Sequence, residues 1–146
     1  MGGRVCMANI DKHRQAHEAF NRRDWDGLVR DLAPDVEYTD HPRGTTTKNP
    51  QEFVDYLTGG WVTAFSDAKV SNALYTEGGD RTIAQFEGTG TNDGPVGSMP
   101  ATGRTMNMPF CEVMTYDSDG RIARGELYYD QVTMLVQLGH MPPPTS

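Results

Sequence analysis

Cysteine is nearly missing from this chain. Cys6 and Cys111 are the only two among 146 residues, too few for a disulfide framework or a cysteine-based zinc site. Positive charge is short as well: 13 Lys and Arg stand against 20 Asp and Glu, for a formal charge of −7. Phosphate binding needs a basic face, so this balance argues against nucleic acid and against anionic membrane surfaces as partners. Long hydrophobic runs are absent, and no transmembrane span is read. The start, Met-Gly-Gly-Arg-Val-Cys, has no apolar h-region, and its sixth residue is Cys where a myristoylation signal carries Ser or Thr. The expected setting is the reducing cytoplasm. No linker and no internal repeat is visible, so one domain is expected over residues 1–146, with its core from about residue 9 to 139 and irregular ends, the last marked by Pro142, Pro143 and Pro144.

What is present suffices for a folded core: 36% of residues are apolar and 23% charged, with aromatics along the whole length. Ile10, Ala16 and Phe20 have helical spacing, with Asn9 placed to cap a helix running to about Arg23. Asp24 then precedes Trp25, Leu28, Val29 and Leu32, an i, i+3, i+4, i+7 stripe that should end before Pro34. Val36 to His41 reads as a strand closed by Pro42 and Gly44. Asn49-Pro50-Gln51-Glu52 combines an N-cap, Pro at the first helical position and Glu at the third. A third helix starts there, and Gly59 and Gly60 are expected to weaken or bend it. Lys69–Glu77, Arg81–Thr91, Arg104–Tyr116 and Arg121–Tyr129 are β-favouring runs separated by turn residues, predicting a four-stranded meander. Val132, Leu135, Val136 and Leu138 suggest a closing helix ended by Gly139. Helices first and antiparallel strands after them make an α+β fold, whose curved sheet and helices should enclose a pocket.

Between Gly90 and Gly139 stand Gly-Thr-Asn-Asp-Gly, Pro100-Ala101-Thr102-Gly103-Arg104, Asp119-Gly120-Arg121-Ile122, Tyr128-Tyr129-Asp130 and Gln137-Leu138-Gly139. In this order and spacing they resemble the SnoaL-like polyketide (ester) cyclases of the nuclear-transport-factor-2-like superfamily. The resemblance extends upstream through His41-Pro42-Arg43-Gly44 and the N-terminal helical pair, from about Asp11 to Gly139. It implies a cone-shaped, cystatin-like fold and chemistry without a cofactor on a small apolar molecule. Many members carry His where this chain has Asn92, which leaves hydrogen bonding but no proton transfer at that position.

The resemblance makes Asp130 a general acid/base, and its apolar surroundings would raise its pKa by desolvation. Asp130 also directly precedes a helical stripe and can be its N-cap. His41 ends a strand where ketosteroid-isomerase-like relatives carry a catalytic carboxylate; it reads as an acid, a base or a hydrogen-bond donor, or as a loop residue bonded to Asp40 or to backbone. Strand alternation puts Glu126 and Tyr128 on the face of Asp130, as pocket wall. Glu126 can instead mark the cavity mouth or an interface, and Tyr128 can be plain core. Trp61 and Phe65 on the third helix either line the pocket or simply pack. No metal is expected. His13 and His17 lie four apart, but Arg14 stands where a zinc-protease pattern has Glu and no third ligand is evident, so a solvated face is the reading. Gly88-x-Gly90 and Asp117-x-Asp119-Gly120 lack the helix and the later acid that phosphate and calcium loops need.

The expected function is cofactor-independent proton transfer on a carbonyl compound, within it the intramolecular aldol cyclisation of a polyketide ester. Asp130 would be the base, and His41 or Asn92 would hydrogen-bond the enolate. An isomerase, an epoxide hydrolase or a non-catalytic binder of small molecules shares the fold; a capping, solvent-facing Asp130 would favour the binder. A homodimer is the expected assembly.

Overall fold

The computed structural model describes residues 7–144, so the expectations for Cys6 and the N-terminal start lie outside the described residues. Helix α1 spans Asn9–Arg22. Asn9 lies inside it rather than capping it; Ala8 precedes the helix with no side-chain bond to its N-terminus. Arg23 ends α1 in the left-handed region at φ 59°, and its guanidinium donates to the carbonyls of Ser66 and Ala68 at 2.9 and 2.8 Å, tying the helix end to the loop before the sheet. Helix α2 (Trp25–Val29) is capped by Asp24, which accepts from the Gly27 amide at 2.9 Å. The apolar stripe continues to Leu32, but the chain has already left the helix, and strand β1 runs from Leu32 to Asp40 with Pro34 inside it. Pairing of β1 slips register between Leu32 and Glu37. A proline, having no N–H for a ladder, fits that irregular stretch.

A short strand not expected from the sequence, β2 (Thr45–Thr47), pairs antiparallel with the end of β1. Helix α3 (Pro50–Tyr56) begins as predicted: Asn49 Oδ1 accepts from the Glu52 amide at 2.9 Å, and Glu52 reaches back to the Lys48 amide at 2.7 Å. At the glycine pair the helix widens into a π-helical turn, Leu57–Val62, that leaves Trp61 buried against the sheet.

Strands β3 (Lys69–Gly78), β4 (Arg81–Thr91), β5 (Thr105–Tyr116) and β6 (Ile122–Tyr129) form the expected antiparallel meander. β6 then pairs parallel with β1, giving one curved six-stranded sheet ordered β2-β1-β6-β5-β4-β3. Helix α4 (Gln131–Leu138) closes the fold, with Gly139 at φ 82°. The helices cover the concave face. No helix among the described residues is long and apolar enough to cross a membrane.

Alternation is strict where the core is thickest. Thr82, Ala84 and Phe86 on β4, and Met106, Met108, Phe110, Glu112, Met114 and Tyr116 on β5, all face inward. On β6 the inward phase is Gly125 and Leu127, with Tyr129 packed against the core. Glu126 and Tyr128 therefore point outward, which corrects their expected place on the pocket wall. Gly125 is needed because a Cβ there would lie 2.4 Å from the Tyr38 ring. Gly125→Ala should accordingly lower stability by about 1–3 kcal/mol, the usual cost of overpacking. Urea unfolding checks this through a lowered midpoint at unchanged slope.

Candidate active site

Between the helices and the concave face of the sheet lies a cavity of about 90 Å³, walled by Phe20, Phe53, Trp61, Phe86, Phe110 and aliphatic side chains. A hydrogen-bonded group of His17, Tyr38 and Glu112 reaches its wall, and Lys69 and Thr89 also line it. Pockets for drug-sized ligands run to roughly 300–1,000 Å³, so in this conformation the cavity admits only a small molecule.

The polar group is built from two periodicities. Glu112 occupies an inward position of β5 between Phe110 and Met114, while His13 and His17, one helical turn apart on α1, meet it from above. His13 Nε2 lies 2.9 Å and His17 Nε2 2.7 Å from the same oxygen, Glu112 Oε1. Tyr38, admitted by Gly125, donates its hydroxyl to Glu112 Oε2. Behind the imidazoles, Thr82 Oγ1 is 2.8 Å from His13 Nδ1 and the Tyr75 hydroxyl is 2.8 Å from His17 Nδ1. His13, His17 and Glu112 are all buried. The solvated face expected for the two histidines is thus overturned, and the third group that was missing is Glu112, 99 residues along the chain from His13.

The protonation states follow from position. Burial pushes the Glu112 carboxyl up, but the charge of His17 and hydrogen bonds with both imidazoles more than reverse this and hold it well below the usual carboxylate range. Burial lowers the His13 pKa, and Glu112 only partly opposes it. Burial, with Glu112 beside it, raises Tyr38 well above the ordinary phenol value and pushes Tyr75 up to about 12. Near neutral pH the result is a buried carboxylate beside phenols that keep their protons.

The residues expected to form the site fall elsewhere. Asp130 is exposed and caps α4, accepting from the Thr133 amide at 3.2 Å and the Thr133 hydroxyl at 2.6 Å. These hydrogen bonds lower its pKa, the reverse of the desolvation shift expected for a pocket base. It borders an open groove with Cys111 and Tyr128, not the aromatic cavity. His41, Glu126 and Tyr128 do come together, but at the protein surface: His41 Nε2 is 3.0 Å from Glu126 Oε2, the Tyr128 hydroxyl donates to that oxygen at 2.6 Å, and the His41 and Tyr128 rings stack at 4.5 Å. His41 is therefore paired with neither Asp40 nor the cavity. Asn92 is fully buried and spent on the loops: it donates to the carbonyls of Ala64 and Gly94 and accepts from the Thr102 amide and hydroxyl. Trp61 lines the cavity, whereas Phe65 packs beneath Gly90 outside its lining.

The sequence model of the SnoaL-like domain matches residues 13–125. The chain belongs to the SnoaL-like family. The matched span opens at His13 and takes in His17 and Glu112, but stops before Asp130. Among solved structures, the proposed polyketide cyclase IdmH from Streptomyces antibioticus is 27% identical, with a TM-score of 0.76 over 91% of this chain and 99% of that one. A proposed polyketide cyclase from Xanthomonas campestris pv. campestris is 25% identical, with a TM-score of 0.78 over 90% and 99%. A protein of ketosteroid-isomerase-like fold from Catenulispora acidiphila, 16% identical with a TM-score of 0.77 over 93% and 98%, shares the fold. No match is found among curated proteins.

The two lowered pKa values in this SnoaL-like core have the same consequence for stability. His13 binds a proton less readily folded than unfolded, so its contribution is full above the ordinary value of 6.5 and is lost as pH falls through the folded value. Glu112 acts likewise below its ordinary value of 4.5. The unfolding midpoint in urea is expected to drop between pH 7 and 5 and further below that. In His13→Asn the upper part of the decline should vanish; a wild-type midpoint level from pH 7 to 5 would refute the assignment.

Proposed function

We propose that this SnoaL-like protein performs acid/base chemistry on a small apolar carbonyl compound, the intramolecular aldol closure of a polyketide ester being the favoured reaction. One observation carries the reading: the largely apolar cavity has His17, Glu112 and Tyr38 hydrogen-bonded together on its wall. In the scheme His17 takes a proton from the carbon between two carbonyls, and the Glu112 carboxylate, 2.7 Å from Nε2, stabilises the imidazolium so formed. The new proton sits on Nδ1, which the substrate carbon reaches once the Tyr75 hydroxyl, 2.8 Å from it, has swung aside. Tyr38, kept protonated by burial, turns its O–H to the enolate oxygen. The enolate carbon then attacks the second carbonyl of the same molecule, and the alkoxide recovers the proton from His17. Asp130 and His41 have no step in this scheme. An isomerase would use the same pair to return the proton to a different carbon.

The capping, solvent-facing Asp130 favours a second reading, a binder without chemistry. Turnover separates the two. With a panel of short β-ketoesters that carry a further ketone within reach of the enolate carbon, His17→Gln and Glu112→Gln should each lower kcat by roughly a hundredfold or more, while Asp130→Asn leaves it unchanged. Saturable binding by the wild-type protein with no turnover of any panel member would favour the binder.

We also propose a homodimer formed through the outer face of the sheet, where Leu74, Ile83 and Tyr128 are 63%, 39% and 43% exposed. Sedimentation should give a dimer for the wild type and a monomer for the Leu74→Glu, Ile83→Glu double variant. A monomeric wild type at micromolar concentration would contradict this.

A further inference from the structure

His13 and His17 are not fully explained by hydrogen bonding to Glu112, because the direction of the bonds behind them can be followed. The Tyr116 hydroxyl lies 2.9 Å from the carbonyl of Asn9, which can only accept, so Tyr116 spends its one proton there. Thr82 Oγ1 lies 2.9 Å from the Tyr116 oxygen and must therefore be the donor in that contact. Having given away its own proton, Thr82 is left to accept from His13 Nδ1 at 2.8 Å. His13 thus carries its proton on Nδ1. Its Nε2 then turns a lone pair toward a carboxylate oxygen 2.9 Å away, inside a fully buried residue. Two lone pairs at that distance repel unless a cation lies between them, and burial disfavours a second proton on this ring.

We propose that His13 Nε2, His17 Nε2 and Glu112 Oε1 form a binding site for a divalent transition metal of the zinc or cobalt type. The three atoms all lie within 4.8 Å of one another. Tetrahedral zinc with bonds of about 2.0–2.1 Å sets its ligands roughly 3.3 Å apart, so on binding Glu112 Oε1 retreats by about half an ångström and the two imidazole nitrogens, up to 4.8 Å apart, close by as much as about 1.5 Å. Two imidazoles with one carboxylate suit zinc, cobalt or ferrous iron, and provide too few oxygens for calcium or magnesium. The surroundings are those of ligands already held in place: Thr82 and Tyr75 stand behind the two Nδ1 atoms, and Tyr38 holds the other Glu112 oxygen. His17 and Glu112 line the cavity, so a metal bound between them would lie beside it. The site does not depend on the acid/base reading. It bears on it, since a bound metal takes the His17 lone pair and Glu112 carboxylate that proton transfer would use, and so inhibits.

The test is a Co²⁺ titration of chelator-stripped protein without a polyhistidine tag and without substrate. Visible d–d bands saturating at one equivalent and abolished by Zn²⁺ are expected. Glu112→Gln and His17→Gln should lose the bands while retaining the circular dichroism of the fold. Tyr116→Phe touches no ligand, but it frees Thr82 to donate to His13 Nδ1 and moves the imidazole proton onto Nε2; it should weaken Co²⁺ binding about tenfold or more. Wild-type protein with no saturable binding overturns the site, as does binding that survives Glu112→Gln. Because no substrate is present, either failure leaves the acid/base reading standing.

Discussion

One carboxylate in an apolar interior constrains most of this structure. Glu112 is held ionised while nearly buried, and an ion in that position costs several kcal/mol unless its lone pairs are engaged. The groups that engage it come from distant parts of the chain: His13 and His17 from α1, Tyr38 from β1. Satisfying Glu112 therefore fixes how α1 sits over β4 and β5, and how close β1 comes to the middle of the sheet. The same demand reaches a second layer, because an imidazole that faces Glu112 needs a partner behind it, supplied by Thr82 on β4 and Tyr75 on β3.

A second buried carboxylate ties down the rim. Asp40 is fully buried at the end of β1, where it accepts from the Tyr56 hydroxyl at 2.5 Å, the Tyr129 hydroxyl at 3.0 Å and the Arg43 amide at 3.2 Å. Trp61 donates to the Tyr56 oxygen at 2.8 Å and takes the Arg43 guanidinium over its ring at 4.9 Å. This joins β1, α3 and β6 beside the aromatic wall of the cavity. It also accounts for the outward turn of His41, the next residue in the strand direction, whose alternation opposes that of Asp40.

Local signals were legible and distant ones only partly so. Asn49 with Glu52, the glycine pair in the π-helical turn after α3, the four strand runs and Gly139 each act within a few residues, and each stands where its chemistry requires. Pro34 misled because a helical stripe through Leu32 gives way to a bulged strand that tolerates proline. Asp130 was read with the wrong face of β6: a single strand does not say which of its two phases is buried, and Gly125, an empty position, was the inward one. The Glu112 group leaves part of its signature in the sequence. A lone acid in the run Met106-x-Met108-x-Phe110-x-Glu112-x-Met114-x-Tyr116 breaks an otherwise apolar phase, and two histidines one turn apart on a helix are its natural complement. What could not be read was their meeting, because that depends on how far the sheet curves.

That Glu112 stands in this phase is hard to ascribe to stability. Its neighbours on the inner face of β5 are Met108, Phe110 and Met114, all tightly buried, and a methionine at the same place would fill similar volume with no ion to satisfy. Exchanging buried charge groups for well-packed apolar residues is often neutral or stabilising by about 1–4 kcal/mol. The two imidazoles would then have no carboxylate to face and could be replaced as well, giving a simpler core of the same shape. The chain instead keeps a charge, two bases and three phenols in one place, with Glu112, His17 and Tyr38 on the wall of the aromatic cavity. An arrangement costly to fold and open to a cavity is what proton transfer or metal binding requires, and packing alone does not account for it.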